Sequence, residues 1–174
     1  MKRNSASPSE SKRRRPAAWW WAALAVVVGA CASPSALPHE AAVRRVIDGD
    51  TIQLSDGQLV RYIGIDAPET RRREGARWVE APEPFGPEAT QANRRLVEGQ
   101  RVRLEYDVQT HDRYGRLLAY VYVGERMINA DLVEGGYATT LTIPPDVRFA
   151  ERFQALAATA RREKRGLWRA ASAP

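Results

Sequence analysis

The segment VRRVIDGDTIQLSDGQLVRYIGI, residues 43–65, decides the fold, because it holds three short β-rich runs separated by turn signals. The runs cover residues 43–47, 51–54 and 58–65, and their apolar residues recur at the spacing of a strand. Asp48-Gly49 marks the first turn, and Ser55-Asp56-Gly57 supplies a tight second turn. The segment therefore predicts three consecutive strands joined by turns.

Two further strands are predicted beyond this segment, over residues 101–106 and 117–123. In the first of them, Val102, Leu104 and Tyr106 alternate with polar residues. The stretch 70–85 is polar and rich in arginine and proline, and we expect it to form an ordered surface loop.

Three helices are predicted in the same part of the chain. The first runs from Pro87 to about Glu98, with proline in its first turn and Gly99 just past its end. A short helix covers residues 129–134, and a final one covers residues 146–164. The final helix carries one apolar stripe, made of Phe149, Phe153, Leu156, Ala157 and Ala160.

The order of these elements predicts the fold class. Five short strands in the order β-β-β-α-β-β, followed by helices, indicate a β-barrel with helices (α+β), a Greek-key barrel of the OB type. The alternative is an open α+β sheet, which fits less well because no parallel crossover is indicated. Since Cys31 is the sole cysteine, no internal disulfide can form, and the hydrophobic core must stabilise the domain.

The charge of the chain is concentrated at its N-terminus. Of the formal charge of +6, most lies in residues 1–30, where six basic residues face a single acidic one, Glu10. The remainder is nearly neutral. Any binding of anions by the folded part must therefore come from a local arrangement of side chains and not from a strong overall field.

Residues 1–32 are interpreted as an export signal, followed by a linker over residues 33–40 and a domain over residues 41–170. A basic run ends at residue 15, and the apolar stretch 17–30 is shorter than the roughly 20 residues of a membrane span. Residues 28–31 (VGAC) resemble a lipoprotein box with Cys31 lipidated. Competing interpretations are cleavage within Ala30-Cys31-Ala32, which releases a soluble protein, and an uncleaved signal anchor. We expect an exported protein in the cell envelope, periplasm or medium.

Five polar residues form the candidate site: Asp50, Arg61, Asp66, Glu69 and Arg116. Carboxylates can hold a hard divalent cation and activate water. Guanidiniums can bind a phosphate bidentately and stabilise the charge that develops in the transition state. Each motif alone has a plain structural explanation, such as a hairpin turn or a surface arginine. Together they are the set of groups needed for metal-assisted hydrolysis of a phosphodiester.

The ordered set of motifs around these residues resembles the staphylococcal nuclease (thermonuclease) family. The resemblance covers about residues 41–168. The motifs are VIDGDT at 46–51, Arg61 with DAPET at 66–70, FGPEA at 85–89, DRYGR at 112–116 and GLW at 166–168.

The resemblance implies a five-stranded OB-fold with about three helices and calcium-dependent cleavage of DNA and RNA that leaves 3′-phosphates. It assigns Asp50 and Asp66 as the Ca²⁺ carboxylates, with a backbone carbonyl ligand at Ala67, where the family often has threonine. It assigns Glu69 as the general base, and Arg61 and Arg116 as the arginines that bind phosphate.

The resemblance also identifies a departure in the segment that follows the second helix. Family members can carry tyrosines there that pack against the substrate nucleotide, whereas residues 139–144 contain no aromatic side chain. Tyr137 is the nearest candidate substrate contact, and Arg113 is a candidate for a neighbouring phosphate.

We expect a monomer that prefers single-stranded DNA or RNA and that meets a membrane only through a lipid at Cys31. The competing function is a nonhydrolytic OB-fold module that binds nucleic acid or protein.

Overall fold

The computed structural model describes residues 37–75 and 77–170. The strands of these described residues are β1 (Glu40–Asp48), β2 (Thr51–Leu54), β3 (Leu59–Tyr62), β4 (Ile65–Asp66), β5 (Arg71–Glu74), β6 (Arg77–Glu80), β7 (Arg101–Glu105), β8 (Leu117–Val123), β9 (Arg126–Met127) and β10 (Thr139–Thr140). The helices in the same part of the chain are α1 (Gly86–Val97), α2 (Ile128–Glu134), α3 (Ala150–Arg162) and α4 (Leu167–Ala170). Within these described ranges, no helix is long and apolar enough to cross a bilayer.

A closed five-stranded barrel is the centre of the fold. Strands β1, β2 and β3 pair antiparallel in sequence, and β1 also pairs with β7, which pairs with β8. The barrel closes because β3 runs parallel to β8, with Val60 opposite Leu117 and Tyr62 opposite Ala119. The predicted OB-fold of the staphylococcal nuclease type is confirmed, and the open-sheet alternative is wrong, because the parallel pair leaves no free edge between these strands.

The core lies inside the barrel and beneath the helices. Ile52, Leu54, Val60 and Leu104 are completely shielded or nearly so, as their alternation along the strands requires. Helix α3 contributes Phe153, which packs against the Tyr120 ring with a centroid distance of 6.2 Å. This packing ties the barrel to its C-terminal helix.

The third predicted strand, residues 58–65, is interrupted at Gly64. Strand β3 ends at Tyr62, and the chain resumes as β4, which pairs with β10 instead of continuing in the barrel. Gly64 has a φ of +81°, and a Cβ there would lie 2.6 Å from the Phe153 ring. The glycine lets the chain turn away from the barrel while Phe153 fills the space beneath it.

Two other boundaries differ from the sequence-based expectation. The expected loop over residues 70–85 contains a hairpin, in which β5 pairs with β6. The final helix begins at Ala150 and not at residue 146. Asp146 instead binds the connection between β7 and β8, because its side chain accepts a hydrogen bond from the Gln109 N–H at 2.8 Å. The bounds predicted for β2 and β8 are confirmed.

The predicted export signal lies outside the described residues, and so does the first half of the linker. Its last residues lie against the barrel: the Leu104 N–H donates to the His39 carbonyl at 2.8 Å, and the Tyr106 hydroxyl donates to the Pro38 carbonyl at 2.6 Å. The boundaries of the signal, linker and domain remain predictions.

Candidate active site

Arg61 lies between two carboxylates. Strand pairing sets Arg61 opposite Thr51, directly after Asp50. Its Nη2 donates to Asp66 Oδ1 at 2.7 Å, while its Nη1 contacts Asp50 as an ion pair. Arg61 is 11 positions from Asp50 in the chain, and the two are neighbours because β2 and β3 pair as a hairpin. Asp66 lies in β4, shortly after this hairpin.

Asp50 is buried and its carboxylate is held in a fixed direction. Its Oδ2 accepts a hydrogen bond from the Ala67 N–H at 2.8 Å, and its Oδ1 accepts one from the Thr51 hydroxyl at 3.1 Å. Burial raises the pKa of Asp50, the charge of Arg61 opposes that rise, and the charge of Asp48 adds to it. Asp66, in contrast, is half exposed.

The approach of these two segments depends on Gly49. A Cβ at this position would lie 2.5 Å from the Ala67 Cβ and 3.0 Å from the Ala89 Cβ. Any larger residue would push the turn that carries Asp50 away from the segment that carries Asp66 and Ala67. The glycine of the VIDGDT motif is thus required for packing between the two candidate metal-binding segments.

Glu69 follows the second of these segments and reaches solvent. Its backbone is clamped by Glu83, whose N–H donates to the Glu69 carbonyl at 2.8 Å and whose Oε2 accepts from the Glu69 N–H at 3.2 Å. Partial burial raises the pKa of Glu69, as does the charge of Asp48, while Arg61 lowers it. Glu69 therefore lies within electrostatic reach of the Arg61 cluster.

Arg116 and Arg61 line one cleft of about 510 Å³. The Arg116 Nε donates to Asp112 Oδ2 at 2.6 Å, and its backbone N–H donates to Asp112 Oδ1 at 3.0 Å. Arg113 lines the same cleft and lies over the ring of Tyr114. The structure thus brings both predicted phosphate-binding arginines and Arg113 to a common cavity.

The wall of this cleft is partly aliphatic. Leu141 and Ile143 line it and are exposed, and so is Tyr114 on the opposite strand connection. The segment 139–143, which lacks the tyrosines of the family resemblance, is attached to the site by the pairing of Thr139 with Asp66. An apolar surface that includes the Tyr114 ring is therefore present next to the arginines, although residues 139–143 contribute no aromatic side chain to it.

Tyr137 does not line the cleft of Arg61 and Arg116. It lines a second cleft, where its ring stacks on Phe85 with a centroid distance of 5.8 Å. Its role as a substrate contact remains a prediction.

Sequence reasoning missed the residues that support the site. Asn93 of α1 is fully buried and donates from Nδ2 to the Asp48 carbonyl at 3.1 Å, while it accepts from the Tyr62 hydroxyl at 3.0 Å. Asn93 thereby fixes the turn before Asp50. A polar residue next to Ala92 and four positions after Ala89, on the apolar side of a predicted helix, was the signal available in the sequence.

The donor groups at the site fit a cation with few protein ligands. In residues 37–75 and 77–170, no cluster of three or more His, Cys, Asp or Glu side chains could hold a metal ion. The charges of Asp48, Asp50 and Asp66 all act on the single Arg61, so negative charge is in excess around it. Two carboxylates, Asp50 and Asp66, leave positions on a hard cation for water and a phosphate oxygen, as catalysis requires.

The fold and the site define an OB-fold protein that carries a carboxylate–guanidinium centre in an open cleft. The family model for staphylococcal nuclease homologues matches residues 59–170, and the chain belongs to this family.

Thermonuclease of Staphylococcus hyicus is 41% identical over 129 residues, which cover 72% of this chain and 73% of that protein. Thermonuclease of Staphylococcus intermedius is 38% identical, with 72% and 74% covered. Endonuclease YncB of Bacillus subtilis is 33% identical, with 71% of this chain and 59% of that protein covered. The protein is accordingly a nuclease, a hydrolase of phosphodiester bonds.

Proposed function

We propose that this nuclease is an exported, Ca²⁺-dependent endonuclease that hydrolyses DNA and RNA and leaves 3′-phosphates. The observation that carries the proposal is the position of Arg61, which contacts Asp50 and Asp66 and opens into the cleft that also holds Arg116. A nonhydrolytic binding module does not require carboxylates and phosphate-binding guanidiniums in contact with each other.

Asp50, Asp66 and the Ala67 carbonyl would hold Ca²⁺, an assignment supported by the contact of both carboxylates with Arg61, by the hydrogen bond from the Ala67 N–H to Asp50 and by the excess negative charge around Arg61. Oxygen donors of this kind suit Ca²⁺, which accepts six to eight ligands in irregular geometry. When bound, the cation supplies positive charge to a phosphate oxygen at the site of attack.

The remaining chemistry belongs to side chains of the protein. Glu69 accepts the proton of the attacking water as its oxygen bonds to phosphorus and the 5′-oxygen leaves. Arg61 and Arg116 donate hydrogen bonds to the other phosphate oxygens, where negative charge builds in the transition state. Single strands are the preferred substrate, because a splayed strand enters a small cleft more readily than a duplex.

The proposal is tested by incubating the protein with single-stranded DNA in the presence of Ca²⁺ or of a chelator. We expect cleavage with Ca²⁺ alone and 3′-phosphate ends on the products. Glu69→Gln is expected to lower kcat by about 10²- to 10⁴-fold, the usual range for loss of a general base. Binding of the strand in chelator should change little, since the substitution removes one negative charge at most.

The pH profile gives a second measure of Glu69. A base acts when deprotonated, and the pKa of Glu69 is raised above its ordinary value of 4.5, so kcat should fall with acid at a pH above that value. Measurement at saturating Ca²⁺ separates the fall in kcat that is due to protonation of Glu69 from the effect of protonating Asp50. The competing function, a binding module, predicts no cleavage with any metal and no response to Glu69→Gln; that result would overturn the proposal.

A further inference from the structure

The second cleft, of about 660 Å³, runs along α1 from Phe85 at its N-terminal end to Arg95 in its last turn and has no assigned role. We propose that it binds the single-stranded part of the substrate next to the bond that is cleaved. Bases would stack on the rings of Phe85 and Tyr137, and phosphates would pair with Arg95 and Arg169.

The two rings form a continuous aromatic surface. Phe85 and Tyr137 stack with an angle of 18° between their planes, and both residues are only partly buried. Their centroid distance of 5.8 Å leaves no room for a base between them, so a base would stack on an outer face. Stacking on aromatic side chains is the usual mode of binding for single strands without sequence preference, because every base has a π-face.

The backbone around both rings has unusual features: a strained conformation at Phe85 and a glycine against the Tyr137 ring. Phe85 has a φ of +73°, a conformation that bulky residues rarely adopt and that is found preferentially at binding sites. The Tyr137 ring lies against Gly135, where a Cβ would come within 2.7 Å of two ring carbons. Tyr137 packs against the core with part of its surface, and both rings remain partly exposed to solvent.

The cleft has the charge of a site for a polyanion. Arg95 on α1 and Arg169 on α4 line it, and neither pairs with a carboxylate within residues 37–75 and 77–170. Arg94, the neighbour of Arg95, instead pairs with Glu98 at 3.2 Å and lines a different cavity. Glu88 is the acidic residue of the second cleft, so its lining carries a positive surplus.

Residues close in sequence to Phe85 and Tyr137 contact residues of the candidate active site. Glu83 and Gly86, on either side of Phe85, contact the backbone of Glu69; a Cβ at Gly86 would lie 2.6 Å from the Glu69 carbonyl oxygen. Tyr137 is two residues before Thr139, which pairs with Asp66. A strand whose phosphate reaches Glu69 can therefore extend over Phe85 and Tyr137. The inference rests on the proposed function for the position of the cleaved bond.

The test measures binding of a labelled single-stranded oligonucleotide by fluorescence anisotropy, with the full chain in chelator, so that the result does not depend on cleavage. Tyr137→Leu keeps an apolar side chain and removes the π-face, and we expect it to weaken binding of a long oligonucleotide about tenfold. Tyr137→Phe should restore the affinity. A short oligonucleotide that fills only the cleft of Arg61 and Arg116 should lose less than the long one.

Arg95→Ala and Arg169→Ala test the phosphate contacts. Each should reduce the slope of log affinity against log salt concentration by about 0.7, the value for one phosphate on a single strand. Arg94→Ala is the matched control on the same helix and should leave the slope as it is. The inference is overturned if wild-type protein binds long and short oligonucleotides equally. It is also overturned if Tyr137→Leu, with an unchanged Tm, binds the long one normally, or if all three arginine variants change the slope alike.

Discussion

Arg116 shows how a single neighbour sets the direction of a functional side chain. Asp112 binds the Nε and the backbone N–H of Arg116, which leaves the two Nη groups of the guanidinium for the cleft. Partial burial acts to raise the pKa of Asp112. Hydrogen bonds from Arg116 and from the Tyr114 N–H outweigh it and lower the pKa of Asp112 below its ordinary value. Asp112 thus stays charged over the neutral range, and we infer that it is a positioning residue for Arg116.

Asp112→Asn should lower kcat by about tenfold and change KM less, because a misdirected Arg116 loses contacts that strengthen in the transition state. The measurement is steady-state cleavage of single-stranded DNA with saturating Ca²⁺.

Asp131→Asn is the matched control for this substitution. It removes a carboxylate that pairs with Arg126 at the same kind of distance, 2.7 Å, on the surface. It should leave both kinetic constants as they are. Equal effects of the two substitutions, or a drop in Tm that accounts for the lost activity, would contradict a positioning role for Asp112.

Among the elements, α2 shows what a sequence pattern conveys and what it omits. The short apolar run predicts a helix, and the structure forms one at Ile128–Glu134. Asn129 within it is fully buried: its Oδ1 accepts from the Val121 N–H and its Nδ2 donates to the Ile63 carbonyl, both at 2.9 Å. The amide connects β8 to the chain just after β3, the two strands that close the barrel.

Asn129→Leu should lower the free energy of unfolding by about 2–4 kcal/mol, because it leaves a buried N–H and a buried C=O without partners. Urea unfolding followed by tryptophan fluorescence measures the change. Gln154→Leu, the same exchange of an amide for leucine at an exposed position of α3, should cost less than about 0.5 kcal/mol. A small loss for Asn129→Leu would mean that the amide does not support the closure.

The β5–β6 hairpin shows the opposite case, an element that sequence reasoning missed. Its strands are short and show no apolar alternation, since β5 is RRRE and the two apolar residues of β6, RWVE, are adjacent, so their sequence is typical of a loop. The register sets Arg71 opposite Glu80 and Glu74 opposite Arg77, and such cross-strand pairs of opposite charge favour a sheet. These charge pairs can be recognised in the sequence only when the position of the turn, at residue 75, is already known.

For the whole molecule, the distribution of charge separates the proposed signal from the nuclease domain. The N-terminal 30 residues carry most of the formal charge of +6, and the rest of the chain is close to neutral. Binding of nucleic acid by the domain therefore depends on the local clusters around Arg61, Arg116 and the second cleft. Export and anchoring, in turn, are hypotheses about the first 32 residues.

Cys31→Ser should move the protein from the membrane fraction to the soluble fraction and abolish labelling by radioactive palmitate, if Cys31 is the lipidated residue of a lipoprotein box. Fractionation of expressing cells with immunoblotting provides the measurement. Ser35→Ala, four residues downstream, should leave the distribution as it is. If wild type and Cys31→Ser are both soluble, cleavage after Ala32 is favoured; if both stay in the membrane fraction, an uncleaved signal anchor is favoured.

The sequence by itself determined the five barrel strands, the helices α1 to α3 and the residue types of the site, because turns, alternation and caps act over a few neighbouring residues. It also determined the family, through motifs that keep their order. The tertiary structure alone decided what meets in space: the parallel pairing of β3 with β8, the contact of Arg61 with Asp50 and Asp66, and the separation of Tyr137 from the cleft of Arg116. These depend on strand register and barrel closure, which join residues distant in the chain and leave no local pattern in the sequence.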